Sequence, residues 1–222
     1  MAADRSRSLR SAWLVAFWLA MACATKTGPV TQELDVAARR HNALAVSDAL
    51  EELIADGKDT PGDREYAYEM VKGETEDTAP ATFARAAVVG RLVQQRGLLG
   101  ANLVGDVEQW ARRSRELDPN FRDGAATRLL GTLYVIAPSS FLKYGDSEEG
   151  LGLLEGLVLE HPASLENHLR LAEAYVALGD QTPAGPHLCL ALEGRTALRH
   201  DDQRLLDQLV ATAGTLPCVA DR

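Results

Sequence analysis

The stretch that most limits what this chain can fold into is LENHLRLAEAYVALGDQTPAGPHLCLALEG, Leu165 to Gly194. Leu171, Ala172 and Tyr175 recur at helical spacing on one face, and Ala184, Leu188 and Ala191 do the same after a break. Between them, Leu178-Gly179-Asp180 reads as a turn. Gly179 accepts the left-handed conformation that ends a helix, and Asp180 is expected to cap the next one. The small side chains of Ala172 and Ala184 allow two antiparallel helices to approach closely. Tyr175 and Leu188 then fill the space between them. A helix pair of this kind cannot bury its apolar face alone, so it must stack on others.

The rest of the chain supplies such neighbours. ELDVAARRHNALAVSDALEELIADG places Leu50, Leu53 and Ile54 at helical spacing and ends at Gly57. TPGDREYAYEMVKG starts with Pro61 near a helix start. APATFARAAVVGRLVQQRGLLG and VGDVEQWARRSRELDP follow, the second with Val107, Trp110 and Ala111 and a stop at Pro119. No stretch shows sustained strand alternation. ELDPNF, EHPASL and ADGKDTPG punctuate the chain at comparable points. The Asp123–Pro162 unit keeps Leu130-Gly131 and Tyr134 but inserts PSSFLKYGD between its helices. Gly150, Gly152 and Gly156 share one helix, which costs stability but permits close packing. Pro186 is an odd choice inside a helix, although tolerable in the first turns. The pattern resembles the tetratricopeptide repeat. It predicts an all-α fold of stacked antiparallel helix pairs over residues 33–222, and the resemblance implies a right-handed array.

The amino terminus has a different logic. MAADRSRSLR carries Arg5, Arg7 and Arg10 against Asp4, and SAWLVAFWLAMA is uncharged and apolar. Basic region, apolar region and small residues in that order make a secretory signal. The apolar run is shorter than the roughly twenty residues a bilayer-spanning helix needs. Ala20-Met21-Ala22 fits ordinary signal peptidase. The same residues followed by Cys23 resemble a bacterial lipobox, in which that cysteine is acylated and becomes the first mature residue. The expectation is a cleaved signal over 1–22, lipid on Cys23 and a tether over 23–32. Simple secretion and an uncleaved anchor are the alternatives. Ala24 after Cys23 favours the outer membrane under the familiar sorting rule.

Cys189 and Cys218 are the remaining cysteines. A disulfide between them suits an oxidising compartment, and two buried free thiols fit the sequence equally well. The net charge is −9. Loss of residues 1–22 removes a net +2 and leaves −11. Such a chain offers no basic face for nucleic acid.

Catalytic patterns are sparse. His161 and His168 flank a helix break, without further ligands at metal-site spacing. Glu148-Glu149 and Asp201-Asp202 precede apolar runs, where helix dipoles favour acids. Ser139-Ser140 lacks the G-x-S-x-G context of a serine hydrolase. The expectation is a binding protein with no metal and no cofactor.

The lipobox-like start, DPNFRDGAATRLLGTLYVIAP, YGD and HPASLENHLRLAEAYVALGD together resemble the T-components of TRAP-type solute transporters, the TatT-like lipoproteins. The resemblance is best over Leu117–Asp180. It implies a periplasmic homotrimer that docks the solute-binding P-component and offers an apolar cleft to a small hydrophobic ligand. A repeat-type envelope scaffold for cell-wall or outer-membrane biogenesis is the alternative function. Candidate contact residues are Phe141, Lys143 and Tyr144 in the insertion, since loops on rigid scaffolds often bind. Asn167, His168 and Arg170 are candidates for the groove, and hydrogen bonding between neighbouring repeats is their other reading.

Overall fold

The computed structural model describes residues 30–214 together with Leu216 and Cys218. The signal and Cys23 lie outside the described residues. The described residues form ten α-helices: α1 (Gln32–Ala38), α2 (Ala43–Asp56), α3 (Pro61–Val71), α4 (Ala79–Arg96), α5 (Val104–Leu117), α6 (Ala125–Ile136), α7 (Ser147–Glu160), α8 (Leu165–Ala177), α9 (Gln181–Glu193) and α10 (His200–Ala213). Short 3-10 turns occupy Gly97–Leu103, Ser139–Phe141 and Arg195–Ala197. There is no strand among the described residues. No described helix is long and apolar enough to cross a membrane.

Local chemistry accounts for most boundaries. Thr60 and Asp63 form a reciprocal capping box at α3, with Pro61 in the first turn. Gly179 has φ +84° and closes α8, as its place in the turn requires. Asp180 precedes α9, but its side chain accepts no capping hydrogen bond, contrary to expectation. Pro186 lies inside α9 rather than at its first residues. The segment ending at Gly57 is two helices, not one. Arg39–Asn42 breaks it, His41 takes φ +48°, and the Asn42 side chain accepts from the Ala45 N–H at 2.8 Å. Gln32, at the end of the expected tether, already opens α1.

Helices pair as expected: α4 with α5, α6 with α7, and α8 with α9. Ala172, Ala184, Leu188 and Ala191 are buried at the α8–α9 interface. Between α6 and α7 the backbones come closest. A Cβ on Gly131 would stand 2.6 Å from Leu154 Cγ and 3.0 Å from the Gly150 oxygen, and one on Gly150 would stand 2.8 Å from the Gly131 oxygen. Gly152 and Gly156 face open space instead. Cys189 and Cys218 are joined by a disulfide, which ties the tail beyond α10 to α9.

The even-numbered helices form an inner layer. α2 packs on α4, α4 on α6, α6 on α8, α8 on α10, and α10 returns to α2. The repeat array therefore closes on itself. This closure decides what the inner face can do.

Candidate functional site

The closed inner face is charged. Arg91 on α4 donates to both carboxylate oxygens of Glu51 on α2, at 2.7 and 2.6 Å. Arg199, at the start of α10, donates to Glu51 Oε2 at 3.0 Å and to the Glu51 carbonyl at 2.7 Å. Asp201 lies 3.5 Å from Arg91 and 3.3 Å from Arg199. Arg170 on α8 donates to Asp202 at 2.6 Å and to Glu173 at 2.9 Å. Arg128 on α6 donates to Asn167 Oδ1 at 2.6 Å and pairs with Glu166 at 2.8 Å.

Burial acts against each of these charges, and the partners decide the outcome. At Glu51 burial opposes ionisation, but Arg91 and Arg199 outweigh it and hold the carboxyl below its ordinary value. At Asp202 burial wins over Arg170, aided by the like charges of Asp201 and Glu166, and the pKa rises. Arg170 collects two carboxylates and its pKa rises despite burial. Burial lowers Arg128, which Glu166 offsets only in part. Asp201 and Asp202, expected as simple helix-start acids, are thus members of a buried ionic network. Glu148 and Glu149 do lie exposed in a first turn, where Asp146 Oδ1 accepts both their N–H groups at 3.0 Å.

The three groove candidates take structural partners. Asn167 is fully buried and bridges Arg128 to the Asp123 carbonyl. His168 Nδ1 and His187 Nδ1 are 2.8 Å apart, and His168 Nε2 is 2.9 Å from the Pro162 carbonyl. A carbonyl only accepts, so His168 carries its proton on Nε2 and His187 donates from Nδ1. Tyr175 stacks on His187 and donates to Glu155 at 2.6 Å. Arg170 is held in its ion pairs. These residues bond neighbouring helices to one another.

The Pro138–Asp146 insertion differs. Glu108 on α5 is buried. Its Oε2 accepts from the Lys143 N–H at 2.9 Å, and its Oε1 accepts from the Tyr144 N–H at 2.8 Å. The carboxylate so fixes the loop in one shape. Leu142 packs into the cluster of Ala86, Ala111, Leu130 and Tyr134, while Phe141, Lys143 and Tyr144 stay exposed. The YGD triplet has a reason too. A Cβ on Gly145 would stand 2.2 Å from the Tyr134 ring. The Tyr134 hydroxyl is buried without a complete hydrogen bond, and burial pushes its pKa up to about 12. The Arg112 guanidinium lies 4.4 Å from the Tyr144 ring centroid and Lys143 Nζ lies 4.8 Å from it. An open pocket of about 280 Å³ lined by Arg112, Arg115, Glu116 and Pro119 adjoins Arg112. Sequence reading found the loop but missed Glu108, because nothing local marks a carboxylate that serves residues 35 and 36 positions away.

Among the described residues no group of three or more His, Cys, Asp or Glu is placed to hold a metal ion. The chain matches no protein-family model and no curated protein.

Proposed function

We propose that the protein is a lipid-anchored periplasmic adaptor on the bacterial outer membrane that docks a solute-receptor protein in TRAP-type uptake. The observation that carries this reading is the insertion fixed by Glu108. It presents Phe141, Lys143 and Tyr144 outward, beside Arg112 and Arg115, on a chain of net charge −9. Aromatic and arginine side chains on a preorganised edge are the usual anchors of protein interfaces. Lysine and arginine around them favour an acidic partner surface.

The inner face supports docking at the outer edge over capture of a small apolar ligand inside. Its arginines are paired, and a ligand would have to displace those pairs at high cost. Mechanism in this reading is recognition alone. The loop binds, the stacked helices hold the loop, and lipid on Cys23 keeps the complex at the membrane. A homotrimer belongs to the same proposal and is read from the mass of the detergent-solubilised protein.

Affinity capture of the detergent-solubilised full chain, with mass spectrometry of co-purified proteins and small molecules, tests the function. Recovery of a solute receptor, reduced by Phe141→Ala with Tyr144→Ala in a folded variant, is the expected result. Recovery of cell-wall assembly factors alone replaces transport with the envelope-scaffold reading.

A further inference from the structure

Leu98 and Leu99 are the most exposed large apolar residues described, at 85% and 86% of their full surface. They stand side by side in the 3-10 turn Gly97–Leu103 that joins α4 to α5. The turn is firmly seated. Leu103 is buried with Val89, Leu92 and Val107. A Cβ on Gly100 would approach Arg96 Cβ and Val93 Cα to 3.1 Å, so the turn lies tight against the end of α4. Two leucines are therefore held rigidly in water, where their burial elsewhere would be favourable.

The tip lies at the same end of the molecule as the start of the fold. The Thr31 N–H donates to Asp63 Oδ1 at 2.7 Å. The Gln95 side chain donates to the Pro61 carbonyl at 3.3 Å, and Arg96 forms a two-point ion pair with Glu65. The entry of the chain, the first turns of α3 and the last turn of α4 thus meet at one end of the molecule. Leu98 follows two residues after Arg96. Cys23 is eight residues before Thr31, a reach of about 28 Å when fully extended. A membrane that holds Cys23 lies within that reach of Thr31, at the end of the molecule where α4 runs into the Leu98–Leu99 turn.

We infer that Leu98 and Leu99 form a second membrane contact, a rigid apolar tip that enters the lipid interface beside the anchor. The inference rests on acylation of Cys23. Its consequence is orientation. Anchor and tip together fix one end of the helical array towards the bilayer, whereas a tether alone leaves the array free to tumble.

The test uses the full lipidated chain in vesicles of phosphatidylethanolamine and phosphatidylglycerol, some carrying a nitroxide on the acyl chain. Leu98→Cys, Leu99→Cys and, as control, Leu159→Cys on α7 are labelled with an environment-sensitive fluorophore. All three side chains are exposed, so the fold tolerates the change, and circular dichroism checks it. Quenching at Leu98 and Leu99 about threefold stronger than at Leu159 is the expected result for residues seated in the headgroup–acyl boundary. Vesicle flotation and the mass of the mature amino terminus report the anchor separately. Anchored protein with an unquenched tip overturns this inference alone. Absence of lipid on Cys23 overturns the anchoring and this inference with it. A tip signal that rises with protein concentration and ignores the lipid nitroxide assigns the tip to a second copy, and also overturns it.

Discussion

Glu51 on α2 and Arg91 on α4 are forty residues apart in the chain and meet in a two-point ion pair, with Arg199 from the far end of the fold bound to the same carboxylate. Through them the last helix is fastened to the second. Glu51→Ala leaves two arginines short of a buried partner and costs about 3–5 kcal/mol, read by urea unfolding. Because the folded pKa of Glu51 is depressed, its contribution is complete above the ordinary glutamate range. It fades as pH falls through the folded value. Glu51→Gln therefore flattens the acid limb of the stability profile, and an unchanged limb would contradict the assignment.

Glu108 governs the insertion loop in a way that can be separated from global stability. Glu108→Gln keeps one carbonyl acceptor and offers an N–H₂ where the other backbone N–H points. One of the two loop amides then loses its partner, at about 1–3 kcal/mol. Hydrogen exchange at the Lys143 and Tyr144 amides should accelerate, while amides in α8 and α9 keep their rates. Equal acceleration everywhere would make Glu108 a general stabiliser and not a loop anchor.

The glycines of α6 and α7 divide by environment. Gly131→Ala and Gly150→Ala each force apart the α6–α7 backbones and should cost about 1–3 kcal/mol. Gly152→Ala and Gly156→Ala meet nothing within 4 Å and should gain up to about 1 kcal/mol from helix propensity. Thermal melts of the four single variants decide it. Uniform destabilisation is the contrary outcome.

Reduction of the Cys189–Cys218 bond, which closes a loop of sequence separation 29, should lower stability by about 3–4 kcal/mol on the chain-entropy account. Cys189→Ser with Cys218→Ser should melt at the same temperature with or without reductant.

The histidine pair predicts a mild acid sensitivity. Burial first, and His168 second, depress the His187 pKa. The unfolded chain binds a proton near the ordinary value of about 6.5, where folded His187 remains neutral. The stability it contributes is whole above that pH and declines as pH falls below it, down to the folded pKa. His187→Asn should remove that step in stability between neutral and mildly acidic pH. A profile identical to the parent's would show that the pair is not its source.

Much of the helical framework was legible because its signals are local. The period of Leu171, Ala172 and Tyr175, the proline at the start of α3 and the left-handed Gly179 act within a few residues, and each appears where the pattern placed it. The break at Arg39–Asn42 was less visible. The apolar period runs across it, and only the Asn42 cap and the positive φ of His41 divide α1 from α2. The exposed insertion was found from its residue types, but its anchor was not. The groove candidates Asn167, His168 and Arg170 were the right residues to notice for polarity. Their partners Arg128, His187 and Asp202 lie 39, 19 and 32 positions away.

By itself, the sequence determined that helices form, where most of them stop and which faces they bury. Those outcomes follow from backbone preferences and side-chain periods that repeat over one or two turns. Only the tertiary structure decided that the array closes, with Arg199 donating to Glu51 across 148 residues. Closure depends on the small rotation added at every helix pair, a sum over the whole chain that no local pattern records. It fills the inner face with paired charges, while Phe141, Lys143 and Tyr144 of the insertion and Leu98 and Leu99 of the turn after α4 stay exposed.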